Sequence, residues 1–119
     1  MNQLRKMSNA PPLILNSCLS RKAYFEAVAS NGDGGHAGFT AGPPPGEKDC
    51  NLPSDAQMPA EGAGGFDRCM PYWAMVQYGL CMFAQDGHLG IILNPKTKYV
   101  GYNMADGKNN QVNIRVLYA

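Results

Sequence analysis

Two histidines, four cysteines and nine carboxylates carry whatever chemistry this 119-residue chain performs. His88 stands in Asp86-Gly87-His88-Leu89-Gly90-Ile91-Ile92-Leu93-Asn94-Pro95. Gly87 removes side-chain bulk beside the imidazole, so backbone or a ligand can come close there. The apolar run of Ile91 to Leu93 is too short to assign by periodicity, and Asn94-Pro95 ends it. On this stretch alone the ordinary reading is a histidine at the end of an element with its hydrogen bonds satisfied. His36 follows a glycine-lined approach, Asp33-Gly34-Gly35. Glu61 lies in Ala60-Glu61-Gly62-Ala63-Gly64-Gly65. Small neighbours there either let other elements cover the carboxylate closely or make more loop.

Cys18, Cys50, Cys69 and Cys81 are far apart, with no Cys-x-x-Cys pair and no zinc-finger spacing. An even count in a small, loop-rich chain favours disulfides and an oxidising compartment. Of the three possible connectivities, a Cys50–Cys69 bridge across the loop is expected. In a cytosolic protein the same residues would be buried thiols. Either way they are scaffold, not nucleophiles. The formal net charge is +1. Without a basic stripe, nucleic acid has no electrostatic foothold, and no apolar run approaches a membrane span. The expectation is one monomeric domain over residues 1–119, trimmed of a signal or a larger flanking region, since no leader precedes Asn2.

The elements that must position these residues follow from spacing. Leu4 and Met7 mark the end of a helix that Asn9 to Pro12 interrupt. Leu13-Ile14-Leu15 leads into Asn16, a good N-cap. From Ser17 to Ser30, Leu19, Ala23 and Ala27 recur every four residues, with Cys18, Phe25 and Val28 widening the stripe. Arg21, Lys22 and Glu26 supply the polar side, and Asn31-Gly32 is the stop. Residues 40–59 show no period. From about Met70 to Phe83, Trp73, Val76, Leu80 and Phe83 share one helical face, which makes Trp73 a core residue. Tyr99 to Met104 reads as a strand, Ala105 to Asn110 as a turn, and Val112 to Tyr118 as the second arm of a hairpin. Asn2 and Arg5 are expected to tie the first helix to the sheet. The seven methionines are mostly gap-filling core and loop residues. Helices early, strands late and no βαβ alternation make the class α+β.

Several pieces in order carry a resemblance: Asn2-x-x-Arg5, Pro12-Leu13, Leu15-Asn16-x-x-Leu19, His36, the Glu61 segment, Gly87-His88, Ile92-Leu93-Asn94-Pro95 and Val100-Gly101. Nearly the whole chain thereby resembles the CAP superfamily of cysteine-rich secretory, antigen 5 and pathogenesis-related proteins, in its compact bacterial-type form. The resemblance implies an α-β-α sandwich with a small antiparallel sheet between helical layers, and a cleft with two histidines and acidic residues that in some members binds zinc. His36 and His88 match the paired histidines, and Glu61 matches the glutamate of the usual Gly-Glu-Asn motif. Three departures stand out: Ala60-Glu61-Gly62 replaces that motif, Glu47 is a rival acid nearer His36, and the second acid has no clear match. Gln77 occupies its place, Asp86 is a poorer substitute, and Leu89 stands where bacterial relatives often carry arginine.

Two neutral imidazoles and a carboxylate make an open first shell for Zn2+, with Glu61 or Asp86 left to serve as base. The same glutamate can instead stabilise a protonated histidine. The resemblance implies a secreted, non-catalytic module binding a lipid, a small apolar ligand or a protein, with Phe39, Phe66, Tyr72 and Tyr102 as possible cleft residues. Its alternatives are a zinc-dependent hydrolase or protease using His36, His88 and Glu61, and a structural or adhesion domain of a larger surface protein.

Overall fold

The computed structural model describes residues 1–29, 53–55, 60–71, 73–74, 77 and 86–119. The chain opens with helix α1 (Asn2–Met7). It stops because Asn9 takes a left-handed φ of 54°, a conformation asparagine tolerates at a helix end, and Pro11-Pro12 cannot continue it. Asn2 then grips the returning chain. Its Oδ1 accepts the Leu13 N–H at 2.8 Å and its Nδ2 donates to the Leu13 carbonyl at 3.1 Å. Strand β1 (Ile14–Leu15) follows. Helix α2 (Ser17–Ala29) begins where predicted, with Asn16 Oδ1 accepting the Leu19 N–H at 3.0 Å.

Strand β2 (Ala60–Asp67), helix α3 (Asp86–Leu93), and strands β3 (Tyr99–Asp106) and β4 (Gln111–Tyr118) complete the described elements. The Ala60–Gly65 stretch is thus a strand, and the run after His88 is helical. The sheet order is β1-β3-β4-β2. β1 runs parallel to β3, while β3–β4 and β2–β4 are antiparallel. Asn109 and Asn110, at φ 54° and 61°, turn the β3–β4 hairpin, a conformation that suits asparagine better than branched residues.

Alternation along β4 divides the core between two faces. Val116 and Tyr118 join Val100, Leu13 and Ile92 of α3 on one face. Leu117 joins Leu19 and Ala23 of α2 on the other. The result is a four-stranded sheet with α2 and α3 on opposite faces. Helix α2 lies so close to β3 that a Cβ on Gly101 would sit 2.3 Å from the Leu19 and Ser20 backbone. Ser20 fixes this approach, its hydroxyl accepting the Tyr102 N–H at 3.3 Å and its carbonyl the Asn103 Nδ2 at 3.2 Å. Arg5 is fully buried. It donates to the carbonyls of Pro11, Ile92, Asn94 (3.1 Å) and Thr97 (2.9 Å). It therefore ties α1 to the connection between α3 and β3 rather than to the strands.

Candidate functional site

The structure places Glu61 on β2 opposite Leu117, so its side chain points to the face that α2 covers. There its Oε1 meets Arg115 Nε at 2.9 Å, with both side chains closed to solvent. His88 lies in the first turn of α3, on the other face of the sheet, and is half-buried. Gln77 is exposed. His36 and Glu47 lie outside the described residues, as do Cys50, Cys81, Phe39 and Tyr72, and the side chain of Asp86 is likewise not described. Among the described residues no three His, Cys, Asp or Glu side chains cluster as a metal site would require.

What gathers between α2 and the sheet is a polar group the sequence reading did not anticipate. Glu26 belongs to the buried face of α2, not to its polar side, and is 1% exposed. The reason is helical geometry: residue 26 falls seven after Leu19 and three after Ala23, on the stripe that packs against the sheet. Asn113 and Arg115, also buried, alternate with Ile114 and Val116 and share the face of Leu117 and Glu61. Lys22 Nζ stands 3.9 Å from Glu26 Oε1, beyond hydrogen-bond reach. Both Glu26 oxygens are buried without a hydrogen-bond partner among the described residues. Burial and the neighbouring Glu61 charge push the Glu26 carboxyl up to about 7, against the opposing pull of Lys22 and Arg115. Among the described residues the charges gathered here are two carboxylates, one guanidinium and one partly exposed ammonium. Such a set holds a helix against a sheet.

Other expectations are revised. The expected Cys50–Cys69 bridge is not made, because Cys69 carries a free, exposed thiol. Its position is fixed by the turn after β2. Asp67 Oδ1 accepts the Cys69 N–H at 2.8 Å, and Asn110 Nδ2 donates to the sulfur at 3.3 Å. Cys18 is disulfide-bonded. Trp73 is helical but 66% exposed, so it is a surface residue rather than core. Of the methionines, Met7 and Met104 are exposed. Of the aromatic cleft candidates, Phe66 is buried and Tyr102 is exposed.

A small sheet flanked by a helix on each face, entered through an Asn/Arg-bearing first helix, defines an α+β sandwich. The chain belongs to the cysteine-rich secretory protein (CAP) family, whose model matches residues 1–118. Two solved structures share the fold. An outer surface protein of Borrelia burgdorferi is 14% identical with a TM-score of 0.61, covering 98% of this chain and 84% of that one. A cysteine-rich secretory protein of Staphylococcus aureus is 18% identical with a TM-score of 0.55, covering 98% of this chain. This chain spans only 35% of the staphylococcal protein. No curated protein sequence matches. No helix among the described residues is long and apolar enough to cross a membrane.

Proposed function

We propose that this chain is a secreted, non-catalytic binding module for a small apolar ligand, a lipid or a protein. The observation that carries the reading is the Glu61–Arg115 ion pair, closed to solvent beneath α2. A general base must reach its substrate or an activated water, and this carboxylate is committed to a guanidinium inside the molecule. Meanwhile Tyr24, Val28, Trp73, Tyr102 and Met104 offer apolar surface to solvent, the kind of surface a binding module uses. The family's secretory character and the disulfide at Cys18 support an oxidising, extracellular setting.

A divalent metal held by His36 and His88 is the second reading, favoured by the half-buried position of His88 at the start of α3. Glu61 faces α2 while His88 sits on α3 across the sheet, which argues against a preformed zinc centre using all three residues. Thermal unfolding separates the readings. Stabilisation by a fatty acid, a sterol or an aromatic amphiphile, unchanged by a chelator, supports the binding module. Stabilisation by zinc that His36→Ala and His88→Ala each abolish supports the metal site. Zinc-dependent peptide hydrolysis by the wild type overturns the non-catalytic reading.

A further inference from the structure

Strand β2 forms one edge of the described sheet. In an antiparallel ladder, alternate residues turn their backbone N–H and C=O toward the neighbouring strand and away from it. The Arg68 N–H donates to the Asn110 carbonyl at 2.8 Å, and that pair continues the register of Phe66 with Val112 and Gly64 with Ile114. The even-numbered residues of β2 therefore bond β4, while Ala63, Gly65 and Asp67 turn their backbone groups outward. The Asp67 carbonyl accepts the Met70 N–H at 3.0 Å. No described residue bonds the outward groups of Ala63 and Gly65 or the Asp67 N–H. The other edge is treated differently. Beyond the two-residue β1, Ser20 Oγ accepts the Tyr102 N–H at 3.3 Å and Asn103 Oδ1 accepts the Met104 N–H at 2.9 Å. An uncapped strand edge is a template for pairing with another chain. Side chains cap the β3 edge here, and none among the described residues caps β2 at Ala63 and Gly65.

Gly65 indicates what pairs there. Its backbone is one that any residue adopts, and a Cβ would meet Gln111 Oε1 and Asn113 Oδ1 at 3.5 and 3.6 Å, ordinary contact distances. The packing of α2 explains Gly101; nothing in the described chain explains Gly65. A glycine inside a strand often marks the close approach of another backbone. The outward groups run from Ala63 to Asp67 and are centred on Gly65, so two copies can meet there antiparallel, about a two-fold axis. Gly65 then bonds the partner's Gly65, and the Asp67 N–H reaches the carbonyl of the partner's Ala63. Gly64 stands opposite the partner's Phe66, and Ala63 opposite the partner's Asp67, so neither bulk nor like charge collides. Moving the axis to Gly64 would set Asp67 against the partner's Glu61, which like charges disfavour. A net charge of +1 leaves little repulsion between whole copies. We propose that β2 pairs with β2 of a second copy about a two-fold axis at Gly65, joining the two sheets. The expected monomer is then the dilute form, and the capped β3 edge stops assembly at the dimer. This goes beyond the binding-module reading and does not depend on it.

Strand pairing alone buries little area, so the dimer is weak and the test must reach about 1 mM protein. Sedimentation equilibrium follows the full chain with its Cys18 disulfide intact and with Cys69→Ser, which excludes cross-linking through the exposed thiol. The expected result is a mass that rises with concentration toward twice that of the monomer. Amide hydrogen exchange at Gly65 slows over the same range, while exchange at Met104, capped within its own chain, does not change. Gly65→Pro deletes the outward donor without removing a β2–β4 bond, a substitution edge strands tolerate, and it abolishes the dimer. Gly65→Lys sets two like charges face to face at the axis and weakens the dimer about fivefold. Urea unfolding shows that each variant is folded; if Gly65→Pro is not, Gly65→Lys carries the test. A monomer at the highest concentration, exchange at Gly65 that ignores concentration, or a dimer that a folded variant leaves unweakened overturns the inference.

Discussion

Replacing Glu26 with glutamine should stabilise the protein, and only above mildly acidic pH. In the folded chain burial and the Glu61 charge raise the Glu26 carboxyl from its ordinary 4.5 to about 7. An unfolded chain releases that proton near 4.5, so between the two values the native state binds more protons and stability falls as pH rises. Below 4.5 both states are protonated and the effect is absent. Above about 8 the native state carries the full cost of an ionised, poorly partnered carboxylate. At about 1.4 kcal/mol per pH unit, the displacement from 4.5 to about 7 is worth about 3 kcal/mol. Glutamine has nearly the same shape and never ionises. Urea unfolding of wild type and Glu26→Gln at pH 4.5, 6, 7 and 8, with the disulfide intact, isolates this residue because other titrations cancel in the difference. The expected difference grows from near zero at pH 4.5 to about 3 kcal/mol at pH 8, in favour of the variant. A difference that does not change with pH refutes the reasoning. A variant less stable than wild type at pH 8 would show that attraction to Lys22 and Arg115 outweighs desolvation.

The remaining predictions concern the contacts that hold the layers together. Gly101→Ala forces a methyl into the α2 backbone, 2.3 Å away, and should cost at least about 1–3 kcal/mol in urea unfolding. Arg115→Leu strands the Glu61 carboxylate in a closed interior and should cost about 3–5 kcal/mol. Adding Glu61→Leu should recover most of that loss, and a double mutant no better than the single one would show the ion pair is not the cause. Arg5→Met leaves the carbonyls of Pro11, Ile92, Asn94 and Thr97 without their donor and should cost several kcal/mol, at about 1–3 kcal/mol per buried unsatisfied group. Cys69 should react with a thiol reagent in the native protein without denaturant, since it is free and exposed. A protected thiol would place it in a bridge.

The helices at the front of the chain and the hairpin at its end were legible because their periods are clean. Asn16 caps α2 at Leu19 as its residue type and position suggest, and Leu19, Ala23 and Ala27 are fully buried. The class and the family followed from the order of those pieces. The helix after His88 was not legible, because Ile91-Ile92-Leu93 satisfies a buried strand and a buried helix equally. Strand β2 was ambiguous for a related reason: Gly62, Ala63, Gly64 and Gly65 have little propensity for strand, and their pairing with residues 113–116 of β4 is imposed from a distance.

The candidate site shows a limit of a different kind. Reading Glu26 as solvated rested on its charge, although its spacing from Leu19 and Ala23 set it among buried neighbours. By polarity alone Asn113 and Arg115 would belong to the open side of an alternating strand. Yet Leu117 continues the same alternation and is fully buried. Periodicity states which residues share a face; it does not state whether another element covers that face. Here α2 covers it, and it is Glu61 on the neighbouring strand that supplies the partner Arg115 needs, because a buried charge persists only near its complement. Glu26, on the helix stripe with no hydrogen-bond partner among the described residues, instead holds its proton up to about pH 7. Together Glu26 and Arg115 mark where α2 packs against β4. The same contact draws Glu61 into the interior, away from the histidine on α3.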